Sequence, residues 1–358
     1  MAVSSRAGPP ATPVAINSRG DGDAVMGDVS AEGAILAGND MGRPGLARDE
    51  LRELSAPDPW RWGVELAAFW LAIFALVEAA VLVSWTLWLV PISLLIGCLQ
   101  NGLILWTHEG AHINLVRDRR RNDHLADLLI SGPIGVYIAS YRWHHGRHHR
   151  YLGDGREEIE LSAYYPIQGA LLWRHVARHL FGSVALSIIF RSQGPKAQRF
   201  GAPPPRSRAA WLGLGLVNAA LFTLCAAQGE WMIYAVVWGF PLVTIAPMIS
   251  NFRTIVEHQP LGSVPGPELA TTLPPFTRIV DAGLLERVLI APIGFHYHYE
   301  HHLYPAIPYH RLGEVRRRLQ AIGHYDAPGL VTSKGYLRTV VQLATTRSRN
   351  MPVTESAS

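Results

Sequence analysis

Two long stretches without Lys or Arg, residues 64–106 and 209–250, restrict this chain more than any other feature of its sequence. Each contains about 42 residues, which matches two membrane crossings of roughly 20 residues joined by a short turn. Buried hairpins in the core of a soluble protein are the alternative, and the absence of every basic side chain argues against them. We predict an all-α, polytopic membrane protein with four spanning helices in two hairpins, at about 64–84, 86–106, 209–227 and 231–250.

The basic residues indicate how the hairpins are oriented. All 32 Lys and Arg lie in the N-terminal arm, the loop between the hairpins or the C-terminal region, and neither hairpin turn contains one. Because positive residues concentrate on the cytoplasmic side, the termini and the loop are predicted to be cytoplasmic. The excess of Arg over Lys is associated with GC-rich bacterial genomes, so a bacterial inner membrane is expected. The net charge of +4 therefore reflects membrane topology, and we expect no nucleic-acid partner.

Outside the hairpins, the chain divides into two loose ends and a helical cap. Residues 1–57, rich in Ala, Gly, Ser and Asp, are predicted to be a disordered arm without a cleavable signal peptide, and residues 345–358 a flexible tail. The membrane domain is expected at 58–344. Its short apolar pieces are predicted to be helices on the membrane surface or beneath the hairpins, in a cytoplasmic helical cap that carries the histidines, and they lie at 125–138, 180–190 and 284–295.

Histidine is unusually abundant, with 16 residues, and eight of them form three spaced clusters. On a helix, residues i, i+3 and i+4 share a face, so imidazoles at these spacings can reach one metal ion. The clusters contain His108 and His112, then His145, His148 and His149, and finally His298, His301 and His302. His144 is an alternative to His145, which the spacing of the second cluster favours. Eight imidazoles exceed the needs of one metal, which predicts a site for two metal ions.

Each cluster alone is a weak signal. The first matches the HExxH pattern of zinc proteases, in which Glu109 would be the general base. Such a protease has no need for the other two clusters. A metal transporter would carry ligands inside its spans, where the sequence has no histidine, and a metal-buffering loop would be a low-complexity run. Because all three clusters lie at predicted cytoplasmic ends of membrane helices, one shared metal centre is favoured.

The motifs HxxxH, HxxHH and HxxHH, placed around two apolar hairpins, resemble the membrane fatty acid desaturase superfamily, which includes related hydroxylases and carotenoid ketolases. The resemblance covers roughly residues 60–343. It extends to Tyr141-Arg142-Trp143 before the second cluster and to Leu303-Tyr304-Pro305 after the third. One position departs from the pattern, because His296 stands where many relatives carry Asn.

The resemblance implies a cofactor of two iron ions, with O2 as co-substrate. It also implies a ninth ligand after the fourth span, and His258 is the histidine between that span and the third cluster. The expected metal ligands are therefore His108, His112, His145, His148, His149, His258, His298, His301 and His302. Candidates for residues that orient these ligands lie close to them in the sequence, and they are Glu109, Asp154, Glu257, His296 and Glu300.

Desaturation of an aliphatic substrate, such as a fatty acyl chain or lipid, is the function that the resemblance implies, with O2 and two electrons. A hydroxylase or ketolase of the superfamily, or a desaturase of an amino-acid-derived secondary metabolite, stays an alternative because the same iron chemistry serves each reaction. The sequence has no dinucleotide-binding fingerprint, haem segment or CxxC iron–sulfur pattern. We therefore expect an external electron donor at the lipid bilayer: a ferredoxin, a rubredoxin or cytochrome b5 with its reductase.

Overall fold

Helices make up nearly all of the regular structure in this computed structural model, which describes residues 46–154, 158, 160, 163, 167–184, 203–258 and 276–345. The helices are α1 Arg48–Leu54, α2 Pro59–Val83, α3 Leu89–Ala111, α4 Arg119–Ala126, α5 Ile138–Tyr151, α6 Ala170–Leu180, α7 Arg208–Ala226, α8 Trp231–Tyr234, α9 Phe240–Val243, α10 Ile245–His258, α11 Leu284–Leu289, α12 His298–Leu303, α13 Tyr309–Ala321 and α14 Tyr336–Thr345. Shorter π-helical or 3-10 turns lie at Asp127–Ser131, Gly132–Ile134, Ala235–Gly239, Phe295–Tyr297 and His324–Asp326. Strands β1 Ile279–Val280 and β2 Thr332–Ser333 form a parallel pair.

Four helical segments of the described chain are long and apolar enough to cross a membrane, and they coincide with the four predicted spans. They contain α2, α3, α7 and the run from α8 to α10. Helix α2 begins where its sequence favours a start, because Asp58 accepts a hydrogen bond from the N–H of Arg61 at 3.0 Å and Pro59 occupies the first helical position. Ser207 caps α7 in the same way. The predicted all-α fold with four membrane helices is confirmed.

The fourth span is broken, although the sequence suggests one continuous helix. A π-helical turn at Ala235–Gly239 and a non-helical residue, Thr244, separate α8, α9 and α10. Pro241 lacks an N–H and so removes a helical hydrogen bond, and the hydroxyl of Thr244 donates to a backbone carbonyl one turn earlier at 2.6 Å. Beyond the break, α10 continues past the predicted end of the span to His258. That histidine therefore lies at the end of a membrane helix.

The turns of the two hairpins lie together at one end of the spanning helices. The carboxylate of Glu230 accepts hydrogen bonds from Ser84 Oγ and Trp85 Nε1, both at 3.0 Å. Gln228, in the same turn as Glu230, donates to Glu78 of α2 at 2.9 Å. Because each hairpin reverses the chain, the ends of α3 and α10 that carry histidines lie at the opposite end of the membrane helices.

The predicted surface piece at 125–138 packs against α7. A glycine allows the close approach, because a Cβ on Gly213 of α7 would lie 2.4 Å from a backbone carbonyl oxygen of this piece. Asp127 then joins three parts of the chain. Its carboxylate accepts hydrogen bonds from the N–H of Ile138 at 2.7 Å and from Ser207 Oγ at 2.6 Å. The start of α5, which carries the second histidine cluster, is thereby tied to the start of the third span.

The other two predicted surface pieces are described to different extents. In the piece at 180–190, residues 185–190 lie outside the described part of the chain. The piece at 284–295 begins with α11, whose Leu284, Leu285 and Val288 are 77%, 73% and 59% exposed. An open apolar helix face of this kind is typical of a helix that lies on a lipid surface.

The structure differs from the predicted disordered arm at residues 46–57. Helix α1 buries Leu51 and Leu54 against α12 and α13, and Glu50 pairs with Arg318 of α13 at 2.6 Å. The sequence conceals this helix because two leucines in a polar run are a weak pattern, and the residues that cover them lie far along the chain. The rest of the predicted arm, like nearly all of the predicted tail, lies outside the described residues.

Replacing Leu54 with alanine is expected to lower the free energy of unfolding by about 3 kcal/mol, because a buried side chain is removed and a cavity remains. Thermal unfolding of the purified protein would measure the loss. Arg52→Ala is the matched control, since Arg52 is exposed on the same helix. Equal stability of the two variants would show that α1 does not pack on the membrane domain.

Candidate metal centre

Four helices bring the histidine clusters to one place. His108 lies in the last turn of α3, and His112 caps that helix with its N–H on the carbonyl of His108 at 3.2 Å. The second cluster lies on α5, the third lies on α12, and α10 ends at His258. The i, i+3 and i+4 spacings therefore act as helical spacings, and the imidazoles of each cluster face the same side.

The nine histidines predicted as metal ligands fall into two adjacent groups. The five-histidine group contains His108, His112, His145, His149 and His301. The four-histidine group contains His148, His258, His298 and His302. In each group, one nitrogen of every imidazole lies within 4.8 Å of those of the others. The groups adjoin where the rings of His149 and His302 stack with their centres 4.3 Å apart. The second and third sequence clusters are thus each divided between the two groups.

The imidazole nitrogens converge at distances that suit a shared metal ion. The Nε2 separations are 2.9 Å for His145–His149 and 3.1 Å for His149–His301 in the five-histidine group, and 2.9 Å for His258–His298 and 3.0 Å for His298–His302 in the four-histidine group. Two nitrogens bound to one ion at roughly 2.1 Å, about 90° apart, are separated by about 3 Å. One ring nitrogen carries a single hydrogen or a single lone pair, so it cannot hydrogen-bond to two neighbours at once. A metal ion bound at their centre would accept a lone pair from each of these nitrogens.

Acceptors on the outer side of three rings direct the Nε2 lone pairs inward. The Nδ1 atoms face Glu109 Oε1 at 3.3 Å for His108, Glu158 Oε1 at 2.5 Å for His148 and the carbonyl of Phe276 at 2.6 Å for His258. Each acceptor requires the proton on Nδ1, which leaves Nε2 as an electron-pair donor. Among the described residues, the buried Nε2 atoms of His108 and His112 have no hydrogen-bond partner, as expected of atoms that bind a metal.

Burial also keeps the imidazoles neutral. It lowers the pKa of His112 to about 3, with the nearby Arg142 guanidinium adding to the effect. Burial likewise lowers the pKa well below its ordinary value in His145, His298, His301 and His302. Neutral imidazole is the form that binds a transition metal, so these five imidazoles suit metal binding at physiological pH.

Glu109, one of the predicted orienting residues, is held firmly in place. Its second oxygen accepts hydrogen bonds from Asn114 Nδ2 at 3.1 Å and from the N–H of Tyr309 at 3.0 Å. The side chain is buried, with only 1% exposed. Glu109 therefore both faces His108 and connects the end of α3 to the start of α13.

Glu158, which the sequence analysis did not select, faces His148. Its second oxygen accepts a hydrogen bond from the N–H of Gly153. Burial alone would lower the pKa of His148, but Glu158 raises it and so makes the imidazole a stronger donor. The predicted residue Asp154 shapes the turn through its carbonyl, which accepts the N–H of Glu158 at 3.2 Å. An acidic run at 157–160 gave no basis for choosing one carboxylate from sequence.

Glu257 lies beside the four-histidine group. Unlike Glu109 and Glu158, it does not face the outer Nδ1 atom of a histidine. Its Oε2 is 3.6 Å from His298 Nε2, which is the inward-facing nitrogen. The carboxylate pairs with Arg253 and accepts a hydrogen bond from the hydroxyl of Tyr336 at 2.8 Å. The guanidinium of Arg253 lies 4.2 Å from the centre of the Phe295 ring. Glu257 thus places a buried carboxylate, paired with the Arg253 guanidinium, close to the group.

The two remaining candidates do not contact the groups. Glu300 accepts hydrogen bonds from Arg316 Nε at 2.7 Å and from the hydroxyl of Tyr325. It lies two positions after the first ligand of α12, and residues i and i+2 do not share a helix face. His296 belongs to neither group, and its ring packs on Tyr297 with the centres 4.0 Å apart. Both side chains belong to the packing around α12.

Replacing Glu300 with Gln is expected to destabilise the fold by about 3 kcal/mol, because Arg316 would lose its buried partner. The metal content per folded molecule should not change. Thermal unfolding and metal analysis measure the two effects separately. Glu314→Gln is the control, since Glu314 pairs with Arg318 near the surface, where an ion pair contributes about 0–1 kcal/mol. Metal loss at unchanged stability in Glu300→Gln would instead assign Glu300 to the metal ligands.

The sequence pattern of a known protein family, described as Fatty acid desaturase, matches residues 84–332. The match includes α3 and all nine histidines of the two groups. This chain belongs to the fatty acid desaturase family. As a member of that family it is an oxidoreductase, and the resemblance noted from the three histidine motifs is confirmed. The histidine groups agree with the family's use of a metal centre.

Relatives of this family member include desaturases and a hydroxylase. It is 28% identical over 295 residues to the dihydrorhizobitoxine desaturase of Bradyrhizobium elkanii, covering 77% of this chain and 80% of the relative. Identity to the ceramide hydroxylase of Caulobacter vibrioides is 29% over 166 residues, or 40% and 41% of the two chains. Identity to a sphingolipid delta(4)-desaturase/C4-monooxygenase of Bos taurus is 25% over 279 residues, or 75% and 76%. The chain is therefore a desaturase or hydroxylase of this superfamily.

Proposed function

We propose that the five-histidine and four-histidine groups each hold one iron ion, with the nine histidines as ligands. The observation that carries the proposal is the convergence of buried Nε2 atoms, about 3 Å apart, into two adjoining groups. Imidazole donors suit iron, copper or zinc, and the family's use of iron favours iron. Two irons held here would activate O2 for the oxidation of an unactivated aliphatic C–H bond.

The protein's own residues fix the ligands and keep water away. Glu109 and Glu158 set the orientation of His108 and His148 from outside the groups. The ring of Phe295 stands edge-on to His108, with the centres 4.6 Å apart, and the guanidinium of Arg253 lies over the same ring. Exclusion of water at such a site protects the oxidation from side reactions.

Desaturation of an aliphatic chain is the proposed reaction. The substrate loses two hydrogens from neighbouring carbons, and O2 takes up these hydrogens with two electrons and two protons to give two waters. The second candidate is insertion of one oxygen atom into a C–H bond, which gives an alcohol. The similarity to a ceramide hydroxylase supports this candidate. The relatives' names support two substrate classes, long-chain lipids and dihydrorhizobitoxine-like metabolites. We propose an amphiphile that is bound at the membrane boundary.

A zinc protease using the HExxH motif fits this geometry poorly. A general base must be available to take a proton from water. Both oxygens of Glu109 instead face hydrogen-bond donors, which are His108, Asn114 and the N–H of Tyr309. The five imidazoles of its group also exceed the three protein ligands of a typical catalytic zinc site.

Two electrons must come from a separate donor protein in this proposal. Three exposed arginines lie at the start of α4, between the first and second histidine clusters, and they are Arg119, Arg120 and Arg121. Basic residues of this kind suit an acidic electron carrier, because opposite charges steer the encounter. A ferredoxin, a rubredoxin or cytochrome b5 each has this character.

Expression in a host that lacks its own desaturase, followed by lipid and metabolite profiling, tests the function. We expect a product lighter by two hydrogens, or heavier by one oxygen if the enzyme hydroxylates. The His302→Ala variant is the inactive control. Metal analysis should find iron near two per chain, and a single zinc without iron would contradict the proposal.

We propose that the histidine groups face the cytoplasm, because the hairpin turns lack Lys and Arg. A reporter fused after Gly229 is expected to be active outside the inner membrane, and one fused after Arg121 inside. Alkaline phosphatase and a fluorescent protein report the two sides. Reversed activities would place the metal centre on the outer face and leave the fold unchanged.

A further inference from the structure

Arg278 is buried completely, and the part of the chain that the structure describes offers it no counter-ion. Its side chain has 0% exposure. Among the described residues, its Nε and Nη2 have no hydrogen-bond partner, and Nη1 makes only a long contact of 3.4 Å with Ser333 Oγ. No carboxylate of the described residues pairs with it, in contrast to the buried Arg253, which pairs with Glu257.

An unpaired guanidinium in the interior is costly. Taking one charge out of water without a partner costs several kcal/mol, which is why buried charges are almost always paired. Burial lowers the pKa of Arg278 to about 10, so the side chain stays positively charged at neutral pH. Two buried donors and a full charge are therefore left without a partner among the described residues, as they would be in a site that binds an anion.

The backbone places Arg278 next to the metal centre. Its N–H donates to the carbonyl of Glu257 at 2.9 Å, and Glu257 directly precedes His258. The carbonyl of Phe276, two residues before Arg278, faces His258 Nδ1. Two residues of extended chain span at most about 7 Å. The same short segment thus supports a metal ligand and carries the unpaired charge.

We infer that Arg278 binds an anionic group of the substrate, a carboxylate or a phosphate, beside the metal centre. The inference rests on the proposed function, since it concerns the substrate of the same site. A planar guanidinium with two open donors matches the oxygens of either group. Binding the anion at Arg278 would place the carbons attached to it close to the histidine groups. Recognition of an acid head therefore selects acidic amphiphiles over neutral ones.

Thermal unfolding of the iron-loaded, full-length protein tests the site without turnover. The probes are decanoate, decyl phosphate, methyl decanoate and inorganic phosphate, each titrated below its micellar concentration. We expect decanoate or decyl phosphate to raise the unfolding midpoint in a saturable way, and the methyl ester to have no such effect. Arg278→Met should weaken binding of the chain-bearing anion by about 10–100-fold, the range of a lost charged hydrogen bond. Arg278→Lys should weaken it less.

Stability separates this role from a structural one. Removing an unpaired buried charge should leave the unliganded Arg278→Met protein at least as stable as the original. Arg287→Met is the matched control, because Arg287 already donates to the carbonyl of Ala282 at 2.8 Å; it should bind the probes normally. If Arg278→Met unfolds at a markedly lower temperature, or binds decanoate and decyl phosphate as tightly as the original, the inference is wrong.

The remaining outcomes are equally decisive. Equal protection by inorganic phosphate and by the chain-bearing anions would assign Arg278 to a free anion and overturn its role in substrate binding. Equal protection by the methyl ester would show that charge is not recognised. If the probes bind in a way that depends on Arg278 but the protein yields no oxidation product, the proposed function is wrong. The role of Arg278 in binding an anion would still stand.

Discussion

Replacement of His302 with alanine is expected to abolish turnover and to lower bound iron from about two ions per chain to about one. The four-histidine group would keep only three imidazoles, and metal affinity depends directly on the number of correctly placed ligands. Metal analysis of the purified protein and product profiling measure the two effects. His258→Ala should behave in the same way, although His258 lies outside the three sequence motifs.

The five-histidine group should tolerate a loss better. His112→Ala leaves four imidazoles there, so we expect it to retain more iron than His302→Ala while losing most activity. His324→Ala is the control, because its Nε2 lies 2.9 Å from the hydroxyl of Tyr299 and contacts neither group. If His302→Ala held as much iron as His324→Ala, the assignment of the four-histidine group would be wrong.

Replacement of Glu158 with Gln is expected to weaken iron binding by the four-histidine group about 10–100-fold, the usual effect of losing a residue that orients a metal ligand. The amide keeps the shape of the carboxylate but loses its charge, and His148 loses its strong acceptor. Retention of iron during dialysis against a chelator measures the change, and thermal unfolding verifies that the variant remains folded.

A parallel variant in the other group tests whether the effect is local. Glu109→Gln should release iron from the five-histidine group, while Glu314→Gln, a surface change, should release none. Identical iron loss in Glu158→Gln and Glu314→Gln would show that Glu158 does not support a ligand. Loss of both ions in either variant would indicate that the two groups bind iron cooperatively.

Local patterns were sufficient to predict the spans and the clusters. A crossing helix requires a long apolar run, and helical spacing brings i and i+4 side chains to one face. Both properties are written in neighbouring residues, so α2, α3 and α7 follow the predicted spans closely. His258 was expected from the family resemblance, and α10 places it at the end of the fourth membrane helix. The break at Pro241 in the fourth span was the local detail that hydropathy alone did not resolve.

Packing between distant segments decided the rest. The order of residues along the chain does not say that His301 joins His108 while His298 and His302 join His258. It also does not distinguish Glu158, which faces His148, from Glu300, which pairs with Arg316. The sequence by itself predicted the membrane architecture and the eight clustered histidines, because hydropathy and helical spacing are local, and the family resemblance added His258. Only the tertiary structure decided how the histidines divide, which carboxylates face them and where Arg278 is buried, because each depends on residues far apart in the chain.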